Sequence, residues 1–322
     1  MQEIDTNKQE NELSEEINLR ELLSVLAQGK KIIIYITSLI SIIGIIYSLL
    51  LPNIYKSEAL LASVDESSSL ISGAIGQLGG LAGLAGINLS DEDSDNNSKK
   101  AFELMSSLDF FENYIMPNIF LPDLFAVEFW DDKKNEITYD DNIFDIDSNS
   151  WVRNFSYPQK LIPSAQESFE EFKDHYFDLT EDKKTGYVVL SIKHQSPLIA
   201  KQWVEIIVRE VNSFYRQKDK TKSEKAVTYL NNQILATGLT EIRRVTATLL
   251  QKEIQKLTLI EANSDYVFEY IYPPSIMEKK SEPKRILIIF LFFLFSSMLG
   301  IIIVLFRHYF QKEENEEENI NI

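Results

Sequence analysis

The chain has 322 residues, with 49 acidic and 32 basic side chains and a net charge of −17. An acidic chain without a basic patch argues against nucleic-acid binding. The absence of cysteine excludes disulfides, thiolate metal sites and a thiol nucleophile.

The first apolar block covers residues 32–51 and contains no charged residue. A helix of this length spans about 30 Å, the thickness of a bilayer's hydrocarbon core. The sequence therefore predicts a transmembrane helix, preceded by a short amphipathic helix around residues 17–26. The block is longer than the apolar region of a signal peptide, so we expect it to be retained. Arg20, Lys30 and Lys31 precede it and predict that residues 1–31 are cytoplasmic.

After Pro52, residues 55–64 are typical of a strand that leaves the membrane. A glycine-rich segment follows at residues 73–86, and no Lys-Ser or Lys-Thr completes a phosphate-binding loop there. Two interpretations stay open for it: a flexible loop, or a small-residue contact surface that includes Gly76, Gly79, Gly80 and Gly83. The acidic residues 91–95 lack the glycine and distal glutamate of a calcium loop, which favours a solvated turn.

Residues 100–186 predict a mixed helical and strand region. Helices are expected at residues 101–119 and 167–177, acidic loops at 123–147, and the clearest strand of the chain at 186–193, ending at His194. The predicted fold class is an α+β periplasmic domain with a long extended helix, anchored by two transmembrane helices.

The long helix is predicted over about residues 197–262, with Ser196 as N-cap and Pro197 at the first helical position. Gly238 is its weak point, so the helix either projects away or bends back there. Its apolar stripe predicts packing against partner helices, expected to be identical ones.

The chain then forms a predicted strand at 265–272, passes through Pro273, Pro274 and Pro283, and enters a second uncharged block at residues 286–306. Two spans place residues 52–285 in the periplasm and residues 307–322 in a cytoplasmic tail. Lys279, Lys280, Lys284 and Arg285 lie on the loop side of the second span, so we expect the first span to set the orientation.

No catalytic constellation is predicted. His175, His194 and His308 are far apart in the sequence, match no metal-ligand spacing, and are expected at the surface. Paired aspartates such as Asp131-Asp132 lie in a polar stretch without the fixed separation that glycosidases need. The sequence predicts neither an enzyme nor a bound metal or cofactor.

Four segments resemble one known family. They are Ile17-Asn18-Leu19-Arg20-Glu21-Leu22, Pro52-Asn53-Ile54-Tyr55-Lys56-Ser57-Glu58-Ala59, Tyr229-Leu230-Asn231-Asn232-Gln233-Ile234 with Glu241-Ile242-Arg243, and Tyr272-Pro273-Pro274 with Ser281-Glu282-Pro283-Lys284-Arg285. In this order and topology the chain resembles the chain-length determinant (Wzz) family, the class-1 polysaccharide co-polymerases. Two departures are Ser196-Pro197 in place of Asp-Pro, and Glu282 within a Ser-Pro-Lys run.

The resemblance implies an inner-membrane homo-oligomer that regulates polysaccharide chain length, typically of lipopolysaccharide O-antigen, without catalysis. It implies an O-antigen-type polymerase and a lipid-linked glycan as partners. Candidate partner or oligomer contacts are the four glycines named above together with Pro273, Pro274, Pro283, Lys284 and Arg285. Two alternatives remain: a role in capsule or exopolysaccharide export or as an adaptor for a tyrosine kinase, and a two-span sensor. The resemblance leaves open whether the oligomer holds the polymerase or measures the glycan.

Overall fold

The computed structural model describes residues 19–64, 94–263 and 265–320. Its helices are, in chain order, α1 (Leu19–Leu50), α2 (Ser94–Met105), α3 (Leu108–Phe110), α4 (Pro122–Phe125), α5 (Ala165–Glu171), α6 (Pro197–Ala236), α7 (Thr240–Ala262) and α8 (Arg285–Ile320). Its strands are β1 (Tyr55–Ser63), β2 (Val127–Asp131), β3 (Glu136–Tyr139), β4 (Phe144–Asp145), β5 (Ser150–Trp151), β6 (Phe177–Glu181), β7 (Val188–His194) and β8 (Phe268–Tyr272). The chain divides into two units: one contains α1 and α8, and the other covers Ile54–Ser281.

In the first unit, α1 and α8 pack along each other. Both contain a stretch long and apolar enough to cross a membrane, Leu22–Leu50 in α1 and Arg285–Phe310 in α8. The first stretch begins before residue 32 because the amphipathic segment predicted ahead of the span continues the same helix without a break.

In the second unit, four antiparallel strands form a sheet in the order β6-β7-β1-β8. Strand β1 lies in its interior, with Ala59 opposite Leu190 of β7. The side chains of β1 alternate, so that Ser57, Ala59 and Leu61 are buried, as expected where one face of a sheet covers a core. Helix α6 packs on β1 and β7 and contributes Trp203 and Ile207 to that core. The predicted α+β fold class with a long helix is therefore confirmed.

The long helix differs from the prediction. It begins as expected, because the Ser196 Oγ accepts a hydrogen bond from the Ile199 N–H, but it ends at Ala236 and resumes as α7 at Thr240. The Lys220 ammonium lies 2.9 Å from the Glu261 carboxylate, so α7 returns along α6. Of the two arrangements considered, the helix bends back beside Gly238, where helix propensity is low. The result is a helical hairpin and not one projecting helix.

Two other predictions need correction. The helix expected at residues 101–119 is interrupted after Met105, and Ser107 caps a new turn by accepting a hydrogen bond from the Phe110 N–H at 3.2 Å. The chain continues there in a π-helical turn at Phe111–Ile115 and a 3-10 turn at Met116–Asn118. The expected acidic loops at residues 123–147 contain the β2–β3 hairpin and β4.

Candidate functional site

Glycines form the contact between the two apolar helices. A Cβ added at Gly44 would lie 2.5 Å from the Phe292 Cγ, and one at Gly29 would overlap the Val304 side chain. A Cβ at Gly300 would lie 3.2 Å from the Ile33 Cα. Small residues let two helix backbones approach closely, which is how helices associate in lipid. The sequence interpretation missed this seam, although glycines within two Ile- and Leu-rich spans were a signal for it.

Arg285, one of the predicted contact residues, joins the ends of these helices. Its Nη2 donates to the Leu51 carbonyl oxygen at 3.5 Å and to the Asn53 Oδ1 at 3.1 Å. The side chain of Lys284 is exposed and that of Pro283 is half-buried. Arg285 thus has a structural role at the start of α8, whereas Lys284 remains accessible to a partner.

The proline-rich segment after β8 lies against the start of β1. The Ser57 Oγ donates to the Ser275 carbonyl oxygen at 2.9 Å, and the Ser281 N–H donates to the Ile54 carbonyl oxygen at 2.8 Å. Pro274 is buried and Pro273 is exposed. Of this pair, only Pro273 presents its ring to a partner. The remaining predicted contacts, Gly76, Gly79, Gly80 and Gly83, lie outside the described residues.

The α6–α7 hairpin carries an exposed apolar patch, which we call the hairpin patch. Its members are Leu235, Leu239, Ile242, Val245 and Leu249. The last three recur at helical spacing on one face of α7, and the Val245 side chain is 54% exposed. An apolar stripe that is exposed in the described part of the chain is typical of a protein interface.

His194 is buried, with only 1% of its surface exposed, so the prediction of a surface histidine is wrong at this position. The Ser196 N–H donates to its Nδ1 at 2.9 Å, and its Nε2 donates to the Asp123 carbonyl oxygen at 3.0 Å. Its ring also contacts Trp203 and Tyr176. The sequence could not indicate this burial because Asp123 is 71 residues away in the chain.

The environment of His194 keeps the imidazole neutral. Burial lowers the pKa of His194 to about 4, against the weaker effect of its backbone hydrogen bonds. Next to it, the Tyr139 hydroxyl donates to the Asp123 Oδ1 at 2.6 Å. Burial raises the pKa of Asp123, and the hydrogen bond from Tyr139 opposes that increase. These groups are satisfied by one another at the β7–α6 junction, an arrangement suited to holding the junction and not to acting on a substrate.

His175 is exposed and lies 3.2 Å from the Glu171 carboxylate through its Nδ1. Among the side chains that the structure describes, those of residues 22–64, 98–263 and 265–310, no group of three or more histidines or carboxylates is placed to hold a metal ion. The candidate functional features of the described chain are three surfaces: the helix pair, the proline-rich segment after β8 and the hairpin patch.

Comparison with known proteins finds a family model that matches part of the chain. Residues 15–116 match the family model "Wzz: Chain length determinant protein". The search of curated proteins finds no match. One similar solved structure is a "full-length bacterial polysaccharide co-polymerase", with 14% identity, a TM-score of 0.42, and coverage of 90% of this chain and 97% of that one.

A second similar structure is a "Fragment of WzzB, Polysaccharide Co-polymerase from Salmonella Typhimurium", with 13% identity and a TM-score of 0.34. The alignment covers 71% of this chain and 100% of the fragment. Both TM-scores lie below 0.5, so the family match is the comparison that carries weight. Over residues 15–116 that match confirms the resemblance predicted from the sequence motifs, and this part of the chain is similar to a chain-length determinant domain.

Proposed function

We propose that this protein is a non-catalytic regulator of polysaccharide chain length, acting as a homo-oligomeric co-polymerase beside a membrane polymerase. The observation that carries the proposal is the match of residues 15–116 to the chain-length determinant family. The two apolar helices, one near each end of the chain, are consistent with a two-span inner-membrane protein. The polymer we propose is lipopolysaccharide O-antigen, extended on a lipid carrier.

We further propose that both termini are cytoplasmic and that the domain between the spans is periplasmic. Lys30 and Lys31 in α1 support this orientation, because lysine and arginine beside a first span favour the cytoplasmic side. Since the chain has no cysteine, single cysteines introduced on Tyr187 and Lys284 can be labelled from outside spheroplasts. Labelling of both cysteines by a membrane-impermeant maleimide is the expected result. Protection of both cysteines would show that the domain between the spans lies on the cytoplasmic side.

The test of function is a lipopolysaccharide gel of a deletion strain, its parent and a complemented strain. Loss of a modal length class on deletion, with recovery on complementation, is the expected result. An unchanged ladder would exclude O-antigen as the polymer. Capsule and exopolysaccharide size would then be compared in the same strains, and a change there would favour the export or kinase-adaptor alternative.

The hairpin patch supports the oligomer, because its apolar side chains are exposed among the residues that the structure describes. We propose that Pro273, Lys284 and the glycines at 76, 79, 80 and 83 contribute to other contacts with copies or with the polymerase. Val245→Asp places a charge in the hairpin patch and is expected to shift the solubilised protein to smaller assemblies on native gels. Ala247→Asp puts the same charge on an exposed residue of α7 outside the patch and is the control. Equal shifts in both variants would exclude the patch as the contact.

A further inference from the structure

A long surface loop of the second unit is bridged by the side chain of an arginine. Residues 152–164 contain no regular secondary structure. Across the neck of this loop, the Arg153 Nε donates to the Leu161 carbonyl oxygen at 3.0 Å, and its Nη2 donates to the Lys160 carbonyl oxygen at 2.6 Å. Compact loops closed at the neck by their own side chains are frequently functional. We call residues 152–164 the Arg153 loop.

The guanidinium that closes the loop is itself anchored to α5. Its two terminal nitrogens pair with the two carboxylate oxygens of Glu167, a bidentate arrangement. Both side chains are largely buried, with 11% of Arg153 and 19% of Glu167 exposed. The Arg153 guanidinium also lies 5.8 Å from the centre of the Phe125 ring. The loop is therefore fixed to the folded unit before any partner arrives.

This ordered loop nevertheless exposes its apolar side chains. Tyr157 is 97% exposed, and Phe155 and Ile162 each expose more than half of their surface. Rigid aromatic side chains on a preformed loop give contact area at a low entropic cost, which is how binding loops in general work. A loop that had only to connect β5 to α5 would gain nothing from this exposure.

The charge of the Arg153 loop indicates the kind of partner that it fits. No acidic residue occurs from residue 148 to residue 166, although the whole chain carries 49 of them and a net charge of −17. Lys160 is exposed on the loop. The loop is thus an apolar and weakly basic island on an acidic protein, and it fits an acidic surface with an apolar centre.

The chain offers such a surface at the turn between β4 and β5. Ile146 is 49% exposed and stands between Asp145 and Asp147. The Asp145 Oδ1 accepts a hydrogen bond from the Asp147 N–H at 3.0 Å, which fixes the turn. We call residues 145–147 the acidic tip. We propose that the Arg153 loop of one copy docks on the acidic tip of a second copy of this chain. The inference rests on the homo-oligomer part of the proposed function and names one of its contacts.

Because the chain has no cysteine, an introduced cysteine is the only thiol in each copy, and cross-linking can test the contact directly. Two full-length copies with different tags are produced together in the same membrane, one carrying Tyr157→Cys and the other Ile146→Cys. Because the two cysteines are on different chains, a disulfide that joins both tags after mild oxidation is intermolecular. The matched control replaces Ile146→Cys by Tyr187→Cys, a half-exposed tyrosine in the turn before β7.

We expect the Tyr157–Ile146 pair to give several-fold more product with both tags than the control pair. Lys160→Glu on the Tyr157→Cys copy replaces an attraction with a repulsion and is expected to reduce the yield about fivefold. Asp147→Lys on the other copy should restore the yield. Recovery would not occur if Lys160→Glu had merely unfolded the loop.

Equal yields from the two pairs would overturn the proposal, and native mass spectrometry of the solubilised protein then separates two cases. If the protein remains oligomeric, only the assignment of this surface fails. If it is a monomer, the homo-oligomer part of the proposed function fails as well. Protection of Tyr157→Cys from a water-soluble maleimide by lipid vesicles, without cross-linking, would assign the Arg153 loop to the membrane surface and would also overturn the proposal.

Discussion

Protonation of His194 is expected to make the stability of the second unit depend on pH. In the folded protein the ring is buried, its Nδ1 accepts the Ser196 N–H, and its Nε2 donates to the Asp123 carbonyl oxygen. A proton added to Nδ1 would face the Ser196 N–H, so that two hydrogen-bond donors would point at each other in a buried site. The folded state therefore resists protonation, whereas the unfolded chain does not.

The magnitude follows from the two pKa values. Folding lowers the pKa of His194 from 6.5 to about 4, so the unfolded chain binds the proton first as the pH falls. The stabilisation is fully present above pH 6.5 and is lost as the pH falls towards about 4. The full shift corresponds to about 3 kcal/mol, of which about 2 kcal/mol is lost by pH 5.

The assay is urea unfolding of the detergent-solubilised protein, followed by tryptophan fluorescence at pH 7.5 and pH 5. Trp203, one of the three tryptophans of the chain, lies 5.3 Å from His194 between ring centres and contributes a signal from the junction. His194→Gln lowers stability at both pH values but removes the titrating group. The decrease in its free energy of unfolding from pH 7.5 to pH 5 is therefore expected to be about 2 kcal/mol smaller than the decrease in the unsubstituted protein.

The comparison of His194→Gln with the unsubstituted protein also accounts for the effect of Asp123. The raised pKa of Asp123 acts in the opposite direction, because protonation favours the folded state, but it is present in both proteins. His175→Gln removes an exposed histidine and should keep the pH dependence of the unsubstituted protein. Identical losses of stability in the His194→Gln and unsubstituted proteins would refute the reasoning.

Three further changes test the packing. Gly44→Leu forces its side chain into Phe292 and is expected to cost about 1–3 kcal/mol, measured as a lower thermal midpoint in detergent. Asn212→Ala removes three hydrogen bonds to the main chain at the start of β8 and is expected to lower the free energy of unfolding by about 3 kcal/mol, measured by urea unfolding. Arg153→Lys keeps the charge but loses the bidentate fork, so trypsin should cleave after Lys160 faster than in the unsubstituted protein, measured by mass spectrometry of the fragments.

Each change has a matched control at an exposed position. Gly238→Leu between α6 and α7, Asn232→Ala on α6 and Arg209→Lys on α6 repeat the same substitutions where the side chain is open to its surroundings. The controls should leave the three measurements unchanged. A control that matches its test variant would show that the assigned contact does not carry the effect.

Much of the architecture was predictable because its signals are local. The apolar stretches in α1 and α8, the strand that begins at Tyr55 and the Ser196-Pro197 start of α6 each depend on residues adjacent in the chain. The length of an uncharged apolar run, the alternation of apolar and polar residues, and the capping of a helix each depend on one continuous segment of the chain. The sequence alone therefore determined these elements. The family motifs likewise lie in continuous segments.

Contacts between distant residues were decided only by the tertiary structure. His194 is buried because the segment at Asp123 folds over the end of β7, and α7 returns along α6 with Lys220 opposite Glu261 across the hairpin. Arg153 closes its loop only because α5 places Glu167 within reach. Burial and pairing of this kind depend on which surfaces meet after folding. A local pattern of residue types does not specify contacts between segments that are distant in the chain.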